Sequence, residues 1–540
     1  MTDTEPIIVA IELGTSRIAG IAGKHKDGNL LLLAYAEEPA NGCIKRGIIY
    51  NMEKTTQALR LVITKLQTQL ALRIEQVYVG LGGQSLRSVT NTVRRNLITP
   101  SYITADQMDI MADENRTATP PDSEILESIP QEYRVDDALT ETPVGVQGLN
   151  IESVYLNVVA RRKLNQNIDT CFNNLGLTIV ERRIAPLELA AHVLSDTDKR
   201  AGCALVDLGA GTTTVVVCRN NKVRHLVTLP LGMNNVVTDL AALNIEDPKE
   251  AEQLIQKYAN ASLDSIDEEY ETKPQSYTPP VGPPIAITEI QFAIYARLKE
   301  IIDNVVHQIA STPYCTNLLS GIVLTGGGSR VRNLDKLLTQ DKNLGNVAVR
   351  TARTIIDPLN KAASFPKVNL EAANLNTLLS LLASGTEGCT GPAYDAADIF
   401  ASDTANRNRE EARRKQTEEA QADKENLQRI ETYKNQVRQR ITQLNAQAEA
   451  LSKYGDQKKV RQQTQSTLEE VYDMFDDAYS EFVSSIENVP QLKQALGELG
   501  DLHAELKRKG DELEHELSKA KHENSFFAKF KRSLIRIVEE

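Results

Sequence analysis

Three glycine-rich turns hold the residues of this chain that are best suited to chemistry. They span Ala10–Ser16, Val206–Thr213 and Ile322–Ser329, and each begins with a short apolar run typical of a buried strand. Glycine lets the backbone approach a phosphate closely, and backbone N–H groups in such turns form an anion-binding concavity. Glu12 and Asp207 stand just before the glycines of the first two turns, where their carboxylates would face a phosphate-bound Mg²⁺ ion.

The three turns together predict a nucleotide site that closes on the phosphates from two sides. A tight hairpin would explain either acid-bearing turn alone, but two of them followed by a Gly-Gly-Gly turn indicate an actin-like ATPase fold. We therefore expect ATP with Mg²⁺, the metal being held through Glu12 and Asp207. The nucleotide-contacting residues are then Gly14, Thr15, Ser16 and Arg17 on one side, Asp207, Gly209, Gly211, Thr212 and Thr213 on the other, and Gly326, Gly327 and Gly328 beside the adenine or α-phosphate.

Composition narrows the class of protein. The 540 residues suffice for roughly two to four domains, and the net charge of −12 offers no basic surface for nucleic acid. The six cysteines are scattered without a CxxC pair, and the first residues lack an export signal, so we expect a reducing cytoplasm and no zinc site. No uncharged apolar run approaches the ~20 residues of a membrane span, which predicts a soluble or peripheral protein.

Several further segments resemble the bacterial cell-division protein family FtsA. They include Ser128–Tyr133, Thr142–Gly145, Pro230–Gly232 and the Val237–Ala241 stretch that follows. Glu250–Glu252 and Lys257–Tyr258 add to the likeness, as does a basic amphipathic C-terminus. The resemblance covers roughly residues 5–390 and the last fifteen or so, but not residues 400–522.

The resemblance implies an α/β actin-like ATPase fold with an FtsA-type extra lobe and an amphipathic tail helix. The composition and spacing of the residues between them predict a helical extension. The expected parts are a first lobe at 1–83, continued by about 163–200 and 370–390, an accessory lobe at 84–162, and a second lobe at 201–369 with a small lobe at 231–310. We expect the extension at 400–522 and the tail at 525–540.

Residues 400–522 have a composition unlike the rest of the chain, rich in Glu, Gln, Lys, Arg and Ala. Leu492, Leu499, Leu506 and Leu513 stand seven residues apart, and similar series precede them. Lys434, His503 and Gly510 interrupt these apolar series. A polar linker with residual helicity is one interpretation; the recurring heptad positions favour a helical bundle or coiled-coil stalk.

The C-terminal tail carries the pattern of a helix that lies in the plane of a membrane surface. One helical face collects Phe526, Phe527, Phe530, Leu534, Ile537 and Val538, and the flanks and the opposite side carry Lys529, Lys531, Arg532 and Arg536. A helix that docks into the protein's own groove or onto a partner would show a similar pattern. We expect an anionic membrane surface as the partner.

The resemblance also implies a function. An FtsA-like protein binds ATP, forms filaments with itself and anchors the tubulin-like ring protein FtsZ to the cytoplasmic face of the cell membrane at the division site. The C-terminal peptide of FtsZ would dock on the small lobe at 231–310. Glu252 resembles the acid that contacts the ribose, although Ile255 stands where the family usually has Lys.

The resemblance gives little reason to expect fast ATP hydrolysis. Actin-like ATPases carry a Gln or Glu that orients the attacking water, and the matching position here is Ala185. Glu188, one helical turn on, is a conceivable substitute, although an acid at a helix start also stabilises the helix dipole. We expect tight binding with slow turnover at most, and name no catalytic residue.

Two other functions remain open from the sequence. A pilus-assembly actin homologue shares the fold, and the amphipathic tail is the feature that separates it from an FtsA-like protein. A phosphotransferase of the same superfold would need an acceptor pocket and a catalytic Asp, which the sequence does not place. A chaperone of the DnaK type would need a β-rich domain where residues 400–522 have a helical pattern.

Overall fold

The computed structural model describes residues 5–272, 275–280, 282–340, 344, 347–393, 398–454, 457–473, 482–483 and 492–538. Within these ranges the side chains of residues 267, 269–272, 398–424 and 522–538 lie outside the described part. The chain divides into two compact units, Met1–Ser402 and Asp403–Glu540.

The first unit is built on two large sheets. Its strands are β1 Ile8–Leu13, β2 Arg17–Lys26, β3 Asn29–Pro39, β4 Ile44–Lys45, β5 Ile48–Ile49, β6 Leu72–Ile74, β7 Gln76–Leu81, β8 Arg87–Tyr102, β9 Ser123–Val135, β10 Ala138–Thr140, β11 Gln147–Arg161, β12 Thr178–Ile184, β13 Cys203–Leu208, β14 Thr213–Arg219, β15 Lys222–Leu229, β16 Ser276–Tyr277, β17 Ile285–Ala286, β18 Ile322–Thr325, β19 Val349–Thr351, β20 Leu359–Lys361 and β21 Thr390–Ala393.

Helices cover these sheets and form the small lobe. They are α1 Met52–Leu70, α2 Ala105–Thr117, α3 Lys163–Asn174, α4 Ala185–Val193, α5 Asp196–Ala201, α6 Met233–Leu240, α7 Pro248–Tyr258, α8 Leu263–Thr272, α9 Ile287–Ala310, α10 Leu334–Thr339 and α11 Asn376–Ala383. Short 3₁₀ turns span Ala241–Leu243, Cys315–Asn317 and Gly327–Arg330.

Each large sheet contains one of the acid-bearing hairpins. The first has the strand order β12-β7-β1-β2-β3-β20, with β1 and β2 antiparallel and β1 and β7 parallel. The second has the order β10-β9-β11-β8-β15-β14-β13-β18-β19, with β13 and β14 antiparallel and β13 and β18 parallel. Parallel strands bring the glycine turns that follow them to the same sheet edge. This arrangement, with its two hairpins facing one cleft, is the predicted actin-like ATPase fold.

The accessory lobe does not have a sheet of its own. Strands β8, β9, β10 and β11 of this lobe join the second large sheet, where a single pairing of Arg87 with Val227 links β8 to β15. Helix α2 packs on these strands and buries Met111 against Val93, Ile103 and Tyr155. The sequence predicted a separate lobe and gave no sign that its sheet continues that of the second lobe.

The helices near the hairpins have local reasons to begin where they do. Helix α1 is capped by Asn51, whose side chain accepts a hydrogen bond from the Lys54 N–H at 3.0 Å. Helix α4 begins at Ala185 with Pro186 in its first turn, a position where the missing N–H costs nothing. Helix α9 buries Ile290, Ile294 and Leu298 at a spacing of four, so one face lies in the core of the small lobe.

The second unit consists of helices α12 Asp398–Tyr454, α13 Lys458–Asp473 and α14 Lys493–Val538. Its core contains Leu492, Leu499, Leu506 and Leu513 of the predicted heptad series, packed with Ile430 and Val437 from α12 and Leu468 from α13. The shared apolar core of these helices favours the interpretation as a bundle over that as a polar linker. Among the described residues, no helix is long and apolar enough to cross a bilayer.

Lys434 interrupts the predicted apolar series, and the bundle accommodates it through charge pairing. Its side chain is only 2% exposed, and its Nζ donates to Glu498 at 2.7 Å and to Glu431 at 3.1 Å. Burial alone would lower the pKa of Lys434, but these two carboxylates outweigh it and raise the pKa. A buried lysine that needs a partner at one height fixes the register of α12 against α14.

Candidate functional site: a cleft between two hairpins

A cleft of about 350 Å³ lies where the two acid-bearing hairpins meet. Its lining includes Glu12, Leu13, Gly14, Thr15, Ser16, Arg17, Asp207, Gly209, Ala210, Gly211, Thr212, Glu252, Gly326, Gly327 and Gly328. A volume of this size lies within the range of small-molecule and cofactor sites. The structure thus brings together turns that are separated by more than three hundred residues of sequence.

The two hairpin turns are closed by the same backbone bond. Gly14 N–H donates to the Arg17 carbonyl at 3.0 Å, and Gly209 N–H donates to the Thr212 carbonyl at 2.9 Å. The tips are so close that a Cβ on Gly211 would lie 2.7 Å from Thr15. Only glycine fits there, which leaves the N–H groups and hydroxyls of both turns around one space.

The third turn closes the cleft beside Asp207. Gly326 has φ +82°, a left-handed conformation, and a Cβ at this residue would collide with the Asp207 carboxylate and the Leu208 carbonyl. Gly327 is different, because a Cβ there would meet only the Cβ of Asn374 at 4.0 Å. The turn is therefore packed tightly at Gly326 and open to the cleft at Gly327.

Glu12 and Asp207 form an electrostatically strained pair of carboxylates in the cleft. Burial and, to a smaller extent, the neighbouring Glu12 together raise the pKa of Asp207 to about 7. Burial also raises the pKa of Glu12, against the opposing effect of Arg17. The Oε2 atom of Glu12 is buried and lacks a hydrogen-bond partner among the described residues. Two acids so placed require protons or a cation.

A Mg²⁺ ion held together with phosphates fits this arrangement. Mg²⁺ keeps several waters and usually binds one or two carboxylates together with substrate phosphates. The unsatisfied Oε2 of Glu12 can accept a hydrogen bond from a Mg²⁺-bound water. In the part of the chain that the structure describes, no three His, Cys, Asp or Glu side chains cluster as a self-sufficient metal site. The residues present thus suit a metal that arrives with a nucleotide.

The raised pKa of Asp207 predicts that Mg-ATP binds more tightly at higher pH. The carboxylate must lose its proton to interact with the metal, so we expect affinity to rise nearly tenfold per pH unit below about 7 and to level off above it. Calorimetry in buffers of different ionisation enthalpy would count the released proton. An affinity that stays flat between about pH 6 and pH 8 would contradict this electrostatic interpretation.

The same shift has a signature in the nucleotide-free protein. Because the folded pKa of about 7 lies above the ordinary aspartate pKa of 3.8, the stabilising effect of the proton is complete below the unfolded pKa. It is lost as pH rises through the folded pKa. Asp207→Asn should remove this loss, so its melting temperature without nucleotide should fall less than that of the wild type between about pH 5 and pH 8.

Two predicted binding residues have other contacts. Thr213 does not line the cleft, because its hydroxyl donates to the Leu231 carbonyl at 2.9 Å and the residue is fully buried. We therefore revise its predicted phosphate contact to a structural role. Arg17 does line the cleft, but its guanidinium donates to Glu37 at 2.9 Å and to the Asn374 carbonyl at 2.7 Å. The charge of Arg17 is therefore partly neutralised by a carboxylate outside the phosphate turns.

Ala185 and Glu188 occupy separate environments at the start of α4. Ala185 lines the cleft, whereas Glu188 is absent from its walls and is bound by the Ser384 hydroxyl and Arg183. Glu188 therefore serves the packing of α4 on α11 and is not a substitute for a water-orienting residue.

Sequence reasoning missed several residues of the cleft wall. Gly47 donates its N–H to the Thr15 hydroxyl at 2.9 Å and packs on Gly83. The Gly82-Gly83 pair after strand β7 was a visible signal, since it repeats the strand-then-glycine pattern. Asn374 and Arg330 also line the cleft, but they carried no such signal. Neither residue stands in a glycine turn with the pattern that the first two acid-bearing turns share.

The predicted membrane-binding tail belongs to helix α14. The backbone of α14 continues as a helix through residues 525–538. The side chains of Phe526, Phe527, Phe530, Lys531, Arg532, Leu534 and Ile537 lie outside the described residues. The tail backbone forms the end of the 46-residue helix α14.

Comparisons with known proteins match two segments of this chain to family models. Residues 204–369 match the family model described as cell division protein FtsA, and residues 83–159 match the SHS2 domain inserted in FtsA. The chain is 28% identical over 396 residues to cell division protein FtsA of Porphyromonas gingivalis, covering 72% of this chain and 80% of that protein. It is also 28% identical over 341 residues to cell division protein FtsA of Pseudomonas aeruginosa, covering 61% and 80%.

Among solved structures, the PilM-PilN type IV pilus biogenesis complex aligns with a TM-score of 0.47 and 18% identity, covering 70% of this chain and 98% of that chain. The two family matches name FtsA in both the second lobe and the accessory lobe. Together with the curated relatives, they support an FtsA-like protein.

Proposed function

We propose that this protein binds Mg-ATP, forms filaments and anchors FtsZ to the cytoplasmic face of the cell membrane at the division site. The observation that carries the proposal is the cleft, in which two hairpin turns and the carboxylates of Glu12 and Asp207 converge in an FtsA-like chain. The basic amphipathic tail supports the membrane part of the proposal.

ATP binding follows from the groups that face the cleft. The N–H groups and hydroxyls of Gly14–Ser16 and Gly209–Thr212 would hold the β- and γ-phosphates from opposite sides. Mg²⁺, when bound, supplies positive charge between the phosphates and the carboxylates of Glu12 and Asp207. Glu252 and Gln256 of α7 line the cleft on the small-lobe side, where a ribose would lie. Binding would thus join the two lobes through one ligand.

We expect very slow hydrolysis, because the cleft has an alanine where a water-orienting side chain is needed. Phosphate release by the wild type should stay far below the roughly 1 to 10³ s⁻¹ typical of enzymes. Ala185→Gln should raise it about tenfold or more, since its amide would reach into the cleft to orient a water. A phosphate-release assay under saturating Mg-ATP measures both.

Glu188→Gln is the matched control for turnover, because Glu188 is bound to Ser384 and Arg183 outside the cleft wall. It should leave the slow rate unchanged. A wild-type rate within the normal enzymatic range that Glu188→Gln abolishes would show that the water-orienting group was misplaced.

The small lobe at 231–310 is the proposed docking site for the FtsZ C-terminal peptide. Helix α9 buries one face in the lobe core and leaves Phe292 42% exposed on the other. Arg297 on the same helix donates to both carboxylate oxygens of Asp239, at 2.6 and 2.9 Å, which ties α9 to α6. The lobe thus offers a rigid helical surface with an exposed aromatic residue.

The proposed membrane binding depends on many tails acting together, each of which binds the membrane weakly. Each buried large apolar side chain contributes about 1.5–3 kcal/mol and each basic residue near an anionic leaflet about 1 kcal/mol. The cost of holding the chain at the surface offsets much of this for one molecule. A filament that carries many tails binds far more tightly by avidity.

A reconstitution with anionic vesicles tests the whole proposal. Full-length protein with Mg-ATP should sediment with the vesicles and bring FtsZ with it, whereas a chain that lacks residues 525–540 should do neither. Neutral vesicles serve as the control for the basic residues of the tail. FtsZ recruitment that persists without residues 525–540 would contradict the anchoring role.

A further inference from the structure

Asn374 lies on the cleft wall opposite the open side of the third glycine turn. It lines the cleft, and a Cβ added to Gly327 would lie 4.0 Å from the Asn374 Cβ. The phosphate-holding hairpin turns are formed by other segments, Gly14–Ser16 and Gly209–Thr212. Asn374 and Gly327 therefore flank the part of the cleft that is left for the nucleoside.

The backbone that presents Asn374 is fixed by contacts on both sides. Ala373 adopts a left-handed φ of +61° and donates its N–H to the Arg353 carbonyl at 2.9 Å. The Asn374 carbonyl accepts from Arg17 at 2.7 Å. Two residues later, the Asn376 amide donates to the Thr325 hydroxyl at 2.9 Å and to the Ala352 carbonyl at 3.1 Å. A side chain on such a backbone has a defined position.

The side chain of Asn374 has an unmet requirement. Its Oδ1 atom is buried and has no hydrogen-bond partner among the described residues, a costly state for a polar atom. Phosphate oxygens cannot satisfy it, because they are acceptors as well. An N–H or O–H donor on the nucleoside would satisfy it.

We propose that Asn374 binds the base edge of adenine, accepting a hydrogen bond from the 6-amino group. A carboxamide has a donor and an acceptor side by side, which complements the amino group and the adjacent ring nitrogen of adenine. This inference rests on the proposed nucleotide binding and adds a residue that recognises the base. Arg17 then connects the first phosphate turn to the base-recognising residue through the Asn374 carbonyl.

The test compares ATP with purine riboside triphosphate, which lacks the 6-amino group, by calorimetry with Mg²⁺ present. The wild type should bind ATP about 5- to 10-fold more tightly than the analogue, the typical effect of one hydrogen bond. Asn374→Ala should lose this preference by weakening ATP alone. Asn234→Ala, which removes another carboxamide of the cleft wall, should change both affinities by the same factor.

Three outcomes would overturn the inference. An unchanged preference for ATP in Asn374→Ala would show that another group recognises the amino group. Equal losses for both ligands in Asn374→Ala would indicate a merely structural role. A loss that disappears with 2′-deoxy-ATP or 3′-deoxy-ATP would place the contact on the ribose. Failure of the wild type to bind either nucleotide would instead contradict the proposed function, so the two failures are distinguishable.

Discussion

Asp207→Ala is expected to abolish Mg-ATP binding, which is the largest effect predicted for a change in the cleft. Asp207 is partly buried beside Glu12 at the end of β13, and its carboxylate is one of the two that we propose to face the metal. Its removal leaves the phosphates without their cation partner on that side. We expect no detectable binding by calorimetry at nucleotide concentrations that saturate the wild type.

Gly327→Val should abolish binding for a different reason. A Cβ added at this residue meets only the Asn374 Cβ, so we expect the fold to tolerate the change and the valine to occupy space that the adenosine needs. Gly327→Ala, with a smaller group, should weaken binding without abolishing it. The melting temperature of the nucleotide-free variants should match that of the wild type.

Asp303→Ala is the control for both changes, because Asp303 is an exposed carboxylate of α9 that pairs with Lys299 at the surface. It should bind Mg-ATP like the wild type. Unchanged ATP affinity in both Asp207→Ala and Gly327→Val would show that the cleft is not the nucleotide site.

The second large effect concerns the tail. Changing Phe527 and Phe530 together to glutamate should abolish sedimentation with anionic vesicles. The change removes several kcal/mol of apolar burial, at about 1.5–3 kcal/mol per side chain, and adds repulsion from the lipid. Binding of ATP and of FtsZ peptide should be unchanged, because the sites proposed for them belong to the actin-like unit.

A matched control places the same two charges elsewhere on the tail. At about 100° per residue, Ser525 and Ala528 lie away from the apolar face that holds Phe527 and Phe530. Ser525→Glu with Ala528→Glu should therefore retain most vesicle binding. If the phenylalanine double variant still sediments with vesicles, the tail is not the anchor.

The parts of the site that the sequence predicted are those set by local chemistry. The turns at Gly14 and Gly209 are closed by bonds between residues three apart, so the glycines and the flanking acids carry the whole signal. Heptad spacing likewise predicted helices in residues 400–522, because packing in a bundle depends on that spacing.

The remaining features depend on contacts between distant segments. Arg17 reaches Asn374 across 357 positions of sequence, and no local pattern indicates that contact. Thr213 has the same residue type as Thr212, and only the three-dimensional position of Leu231 decides that its hydroxyl points away from the cleft. The single pairing of Arg87 with Val227, which joins the accessory strands to the second sheet, is equally invisible in the sequence.

The unbroken backbone of α14 has a geometric consequence for the tail. Residues Leu499, Leu506 and Leu513 of the bundle core and Phe527 and Leu534 of the tail fall on one seven-residue series along this helix. Two residues inserted between Lys521 and Phe526 would rotate the tail by about 200° about the helix axis, whereas seven would return it to within about 20°. The helix thus fixes the rotational orientation of the tail, about the helix axis, relative to the bundle. Changes of length at this junction are neutral only when they preserve that angle.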